Sequence, residues 1–218
     1  MNVSIYSDIV CPWCYVGEHR FRRAVANTGI PVQVTFRPFQ LNPDATNEPR
    51  PVLEYLRERF GPQAEAAHDN VARMAAQEGL PFLAGEQLLV STLEAHRLLG
   101  FALQEYGRDI QGVLMQRLFE AHFAERANVA NVDTLVSLAE RAGMDPTRSR
   151  TWLMSGEGRP ELQTELGHAI GLGVRAVPTF VFAERYALQG AQPVETFAQV
   201  LQQVAAELAK PHASRSVH

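Results

Sequence analysis

The sequence predicts an α/β fold in which one sheet is split between the two ends of the chain and a helical block is inserted in the middle. Three observations carry this. Strand-like segments occur only near the termini, the long middle reads as helix, and Cys11-Pro12-Trp13-Cys14 stands where the first strand gives way to a helix. Short connections at both ends require the four strands to be neighbours in one sheet. The predicted division is a discontinuous sheet domain of residues 1–42 and 170–218 around an all-helical domain of residues 43–169.

Val3 to Val10 mixes β-branched and aromatic residues and reads as a buried strand. A helical pattern then runs to about Asn27, with Phe21, Ala24 and Val25 on one face, and Gly29-Ile30-Pro31 closes it. Val32 to Phe39 is a second strand, with Val32, Val34 and Phe36 alternating. A strand, a helix and a strand in about 40 residues predict a parallel pair with a helical crossover. Asn42-Pro43-Asp44 is a turn cluster, and Thr46 to Pro51 is polar and proline-punctuated. From about Pro51 to Gly173 almost everything reads as helix. Ser91-Thr92-Leu93-Glu94 has the form of a capping box with Ser91 as N-cap. Ala95, Leu98, Leu99, Ala102 and Tyr106 make an apolar stripe behind it. Val113 to Phe123 is a further helix. Asn131 caps another, whose Val132, Leu135, Val136, Ala139 and Ala142 share a face before Gly143. Val177 to Phe182 and Tyr186 to Gln189 predict an antiparallel hairpin. A last amphipathic helix has Pro193 near its first turn and Val194, Phe197, Ala198, Leu201, Val204, Ala205 and Leu208 on one side. Pro211 is read as its stop, and His212 to His218 as a disordered tail.

At 218 residues, 46% hydrophobic, the chain can bury a full core without disulfide staples. A net charge of −4 argues against a nucleic-acid partner. The basic cluster His19-Arg20-Phe21-Arg22-Arg23 reads as a solvated helix face. Met1 to Tyr6 has neither a basic start nor a long apolar run, unlike a signal peptide. No apolar run approaches the roughly 18 residues of a membrane helix. The expected compartment is the cytoplasm, with no membrane partner.

The two cysteines lie three apart, a loop too short for a disulfide to remove much chain entropy. A reactive pair is the better reading. Proline is favoured at the first helical position, so Cys11 is placed as N-cap. There its sulfur faces unpaired backbone N–H groups and the positive end of the helix dipole, which favour the thiolate. Cysteines so placed have pKa values of roughly 3.5–7.5, against about 8.5 when unperturbed. Cys14 can reach Cys11 but is carried inward by the helix. Cys11 is therefore expected to be the more exposed and more acidic thiol, and Cys14 the one that resolves a mixed disulfide. Two other readings of the spacing are a pair of small buried hydrophobes and half of a zinc site. There is no second CxxC to complete such a site, so no metal is expected.

Other residues near the motif have ordinary explanations. Asp8 could relay a proton to Cys14, although hydrogen bonding within its turn is favoured. His96 and His122 read as satisfied, partly buried histidines. Phe39, Trp13 and Phe180 could line a groove or belong to the core, with Trp13 having the best claim to exposure.

Several stretches together resemble the DsbA-like branch of the thioredoxin superfamily. They are Ser7 to Cys14, Arg37 to Asp44, Ser91 to Leu98, Phe119 to Phe123 and Val174 to Phe180. More narrowly, the chain resembles FrnE-type oxidoreductases and the related 2-hydroxychromene-2-carboxylate isomerases. The resemblance implies a thioredoxin fold with an inserted all-helical domain. It makes Cys11 the attacking cysteine, Cys14 the resolving one, and Pro12-Trp13 the dipeptide that tunes them. It also matches Pro178 to the cis-proline that faces the active site. Taken alone, a proline opening a strand could equally be trans. A turn there would expose the backbone of Val177 to an extended substrate. The implied activity is thiol–disulfide exchange with protein or small-molecule thiols and disulfides. No bound cofactor is implied, glutathione is allowed as a thiol co-substrate, and a homodimer is left open. The alternative is a glutathione-dependent isomerase or transferase of the 2-hydroxychromene-2-carboxylate isomerase or kappa type. Those relatives typically carry serine where this chain has Cys11. With no cysteine beyond this pair, a relay through a second pair is excluded.

Overall fold

Alternating burial along Asn2–Ser7 makes this segment strand β1, with Val3 and Ile5 directed into the core. The computed structural model describes residues 1–210, so the stop read at Pro211 and the tail His212–His218 lie outside the described residues. After β1 the chain turns, with Cys11 N donating to Asp8 O at 3.1 Å, and enters α1 (Pro12–Thr28). That turn ends the first strand earlier than its apolar run suggests. Gly29 closes α1 in the left-handed conformation, at φ 65°, where glycine carries no Cβ penalty. β2 (Gln33–Pro38) returns parallel to β1.

The middle of the chain contains β3 (Arg50–Pro51), α2 (Val52–Phe60), α3 (Gln63–Gln77) and β4 (Leu88–Leu89). It continues through α4 (Leu93–Tyr106), α5 (Arg108–Phe123), α6 (Val132–Arg141), α7 (Pro146–Met154) and α8 (Arg159–Gly171). β5 (Thr179–Phe182), β6 (Tyr186–Gln189) and α9 (Val194–Leu208) close the fold. The four long strands lie in the order β2-β1-β5-β6, with β5 antiparallel to both β1 and β6. Both ends of the chain thus build one sheet, and the middle is predominantly helical.

The core explains this arrangement. Phe21 of α1 meets Phe180, Phe182 and Phe197 at ring-centroid distances of 5.3, 6.1 and 5.5 Å, joining α1 and α9 to one face of the sheet. On the alternate parity of β1, Tyr6 packs with Ala169 of α8, Val174, Phe39 and Val177. The insert shares the main core through Ala95, Leu98, Leu114, Leu118 and Phe119.

Four local expectations are corrected. The middle is not wholly helical: β3 and β4 form an antiparallel ladder pairing Arg50 with Leu89 and Pro51 with Leu88. The capping box does not form. Thr92 is the N-cap of α4, without a side-chain cap, and Ser91 Oγ accepts from Leu93 N at 3.4 Å. Glu94 instead approaches Arg97 at 3.2 Å and Arg159 at 3.1 Å. Arg97 is only 1% exposed, and a buried guanidinium needs its counter-charge more than the backbone needs a cap. Arg97 also donates to Ser155 O at 3.0 Å and Trp152 O at 2.5 Å, satisfying carbonyls at the end of α7. The basic cluster is not simply solvated: Arg20 pairs with Glu78 at 2.6 Å and donates to Ala191 O at 2.8 Å. Leu208, expected on the apolar side of α9, is exposed. By contrast, Asn131 caps α6 as read, accepting from Thr134 N at 3.0 Å.

Candidate active site

Cys11 is the N-cap of α1, in extended conformation at φ −87° and ψ 110°, and Pro12 follows in the first turn of the helix. Its carbonyl accepts from Cys14 N at 3.0 Å and Tyr15 N at 3.3 Å, which folds the second cysteine back towards the first. Both thiols are free. The expected contrast in exposure is absent, because Cys11 is 2% exposed and Cys14 1%. Cys11 is covered by a distant segment: its Sγ donates to Val177 O at 3.7 Å, and the Val177–Pro178 peptide is cis. All four motif residues and Val177-Pro178 are thereby brought together.

Burial pushes the Cys14 thiol well above the ordinary range, and the adjacent Cys11 sulfur adds to that. The neighbouring Ser7 hydroxyl and Asp8 backbone N–H act in the opposite direction. Asp8 holds its turn in place rather than facing solvent. Its carboxylate accepts from Leu41 N at 2.8 Å and lies 3.3 Å from His96 Nε2. His96 Nε2 is also 3.0 Å from Phe39 O, so its proton is shared between a carbonyl and a carboxylate. His96 is a satisfied histidine, as read.

His122 is not. It is buried with Nδ1 unpartnered. Burial pushes its pKa from 6.5 down to about 4, with Asp8 opposing that shift and His68 adding to it. The unfolded chain therefore binds a proton there between those two values while the folded chain does not. Stability should fall as pH drops from 6.5 towards 4. Denaturant melts at neutral and acid pH should show this loss, and His122→Asn should reduce it.

Sequence reasoning passed over Gly17. A Cβ there would lie 3.0 Å from Pro178 Cγ and 3.2 Å from Ala191 Cα. A glycine inside a helix costs about 1 kcal/mol relative to alanine, and that unfavourable choice was the available signal of a close approach. Gly17→Ala is expected to displace the Pro178 ring and lower turnover several-fold while the protein remains folded by circular dichroism.

Trp13 is half-buried against the core, not exposed, and Phe180 is wholly core. The surface beside the motif comes instead from the insert. An apolar cavity of about 320 Å³ adjoins Pro12 and is walled by Tyr55, Leu56, Phe60 and Leu88, with Phe123 beneath. The β3–β4 ladder and α2 hold that wall in place.

Comparison with known proteins agrees with this geometry. Residues 2–202 match the model of the DSBA-like thioredoxin domain. A probable DsbA oxidoreductase from Streptomyces coelicolor, SCO1869, superposes with a TM-score of 0.87 at 37% identity, covering 95% of this chain and 91% of that one. A 2-hydroxychromene-2-carboxylate isomerase superposes with a TM-score of 0.71 at 16% identity, covering 96% and 100%. The cytosolic disulfide reductase DsbM from Pseudomonas aeruginosa, solved with GSH, gives 0.66 at 18% identity, covering 94% and 100%. The last two likenesses are of fold.

Proposed function

The chain belongs to the DsbA-like thioredoxin domain family, and from that premise we propose that it is a thiol–disulfide oxidoreductase whose working pair is Cys11 and Cys14. The observation that carries this is the placement of two free thiols at the start of α1, with Cys11 as N-cap under the Val177 carbonyl. In the reductive direction, the Cys11 thiolate attacks a substrate disulfide and releases one thiol, leaving a mixed disulfide. Cys14 then attacks Cys11 Sγ, the second substrate thiol leaves, and the pair ends as a disulfide. Two electrons pass from the protein to the substrate, and the reverse sequence oxidises a dithiol. The reduction potential relative to the compartment sets the direction.

Pro12 and Trp13 tune the pair, and Val177-Pro178 offers backbone to an extended substrate. Partners are protein or small-molecule thiols and disulfides, with glutathione as a thiol co-substrate. No described helix is long and apolar enough to cross a membrane. We place the FrnE-type assignment, a cytoplasmic location, a homodimer and the division into residues 1–42 with 170–218 around 43–169 within the same proposal. Two cysteines in the motif favour redox work over the isomerase or transferase alternative. Insulin-disulfide reduction with dithiothreitol as donor tests the reading. Wild-type protein should accelerate it and Cys11→Ser should not. Equal acceleration by both would overturn it.

A further inference from the structure

We infer that His122 is a specificity residue of this site: it selects disulfide substrates that carry a hydroxylated aromatic ring, which the apolar cavity beside Pro12 takes up and whose hydroxyl pairs with the imidazole. This rests on the thiol–disulfide reading above and names its substrate class.

The cavity lies next to the attacking cysteine. Val10 and Pro12, on either side of Cys11, both line it. Leu41 and Phe60 also line it and are 45% and 52% exposed, apolar surface that an incoming ring would cover. The volume of about 320 Å³ is about twice the roughly 150 Å³ that holds a benzene molecule. A ring, its hydroxyl and a short linker to sulfur therefore fit.

His122, on α5, gives this apolar wall a polar point. Its ring stands edge-on to Phe123, with centroids 4.6 Å apart, which fixes its plane. Nδ1 is buried without a hydrogen-bond partner. The neighbouring polar groups are paired: His68 Nε2 lies 2.9 Å from Gln87 Oε1 and 3.2 Å from Gly85 N, and Gln87 Nε2 donates to Leu83 O. Buried polar groups are nearly always paired, and the few polar groups of an apolar pocket fix the orientation of its ligand. Burial keeps the ring neutral at pH 7, with its pKa pushed down to about 4. A neutral imidazole has one N–H and one lone pair, so it can donate to a hydroxyl or accept from it.

Charge narrows the occupant further. The only formally charged side chain lining the cavity among the described residues is Arg59, which is exposed and donates to Tyr55 OH at 2.8 Å. No carboxylate lines the wall to receive a cation. The Asp8 carboxylate, whose charge is felt at His122, is held by Leu41 N and His96. An ionised group carried inside would be unpaired, and a plain hydrocarbon ring would leave His122 unpaired. A phenolic ring meets both conditions. The chemistry remains the exchange described above: the substrate S–S bond breaks and the Cys11–Cys14 bond forms. Two electrons and the two thiol protons pass to the substrate, which leaves as two thiols.

The test is single-turnover oxidation of the reduced full chain by three symmetrical disulfides: para-hydroxyphenylethyl, phenylethyl and hydroxyethyl. Acid quenching and mass spectrometry follow the Cys11–Cys14 disulfide, and each rate is divided by that of the same disulfide with dithiothreitol. Wild-type protein should prefer the hydroxyphenyl over the phenyl compound about two- to tenfold, the worth of one neutral hydrogen bond. His122→Leu should bring that ratio to about one, and His122→Gln, which keeps a donor and an acceptor, should retain a preference. Leu88→Trp, which fills the cavity, should abolish the hydroxyl preference and the advantage of either aromatic compound over hydroxyethyl disulfide. It carries the test if His122→Leu does not fold. A disulfide peptide with tyrosine beside its half-cystine, against the phenylalanine analogue, identifies the source of the ring. The same preference there assigns a protein side chain and its absence a small molecule, and either result accords with the inference. A wild-type ratio of one, or a preference that survives in His122→Leu or Leu88→Trp, would overturn it while leaving the redox reading intact. Failure of all three disulfides to oxidise the wild-type pair would overturn that reading, and the inference with it.

Discussion

Cys14→Ser protein should stop at the mixed disulfide and accumulate as a covalent adduct through Cys11, whereas Cys11→Ser should form no adduct and lose turnover to background. The two cysteines are comparably buried, so accessibility does not assign the roles. Position does. Cys11 stands outside the helix with its sulfur at the N-terminus and next to the Val177 carbonyl, where an extended substrate would pair. Cys14 lies within the helix, its thiol pushed up by burial, and acts once Cys11 carries the substrate. Mass spectrometry after mixing each variant with a disulfide peptide reads the result directly. An adduct on Cys14 in the Cys11→Ser protein, as abundant as that on Cys11, would reverse the assignment.

The largest effect on stability is expected at Phe21. Its ring touches Phe180 and Phe182 of the sheet and Phe197 of α9, so one side chain couples the redox helix, the late hairpin and the last helix. Phe21→Ala should cost about 3–5 kcal/mol through lost burial and the cavity left behind. At about 2–4 °C per kcal/mol for a chain of this size, the melting temperature should drop by roughly 6–20 °C. Phe21→Leu should lose much less. A fall of under 1 °C for the alanine variant would show that the aromatic cluster does not hold these elements together.

Much of this was legible because it is local. The strands announce themselves by β-branched and aromatic residues between turn signals. The redox pair announces itself by proline at the helix start and a three-residue cysteine spacing. Asn131 caps as its sequence suggests, since its partner is three residues away. What was not legible depends on residues remote in sequence. Glu94 has the spacing of a capping box, yet Arg159 and the buried Arg97 claim its carboxylate. Cys11 looks exposed until a segment 166 residues away lies over it. His122 was expected to be satisfied, but its Nδ1 has no partner, and nothing in its own helix signals that. The short β3–β4 ladder, two residues a side, is below what alternation can reveal. Gly17 is a small residue whose importance comes from the atoms packed against it.

Redox titration of the intact protein tests the central claim most directly. Samples equilibrated across a series of thiol–disulfide buffers, quenched by alkylation and mapped by mass spectrometry, should show a single two-electron transition between the Cys11–Cys14 dithiol and an intramolecular disulfide. That transition should vanish when either cysteine is replaced. Independent adducts on each cysteine with no Cys11–Cys14 disulfide at any poise would contradict the account.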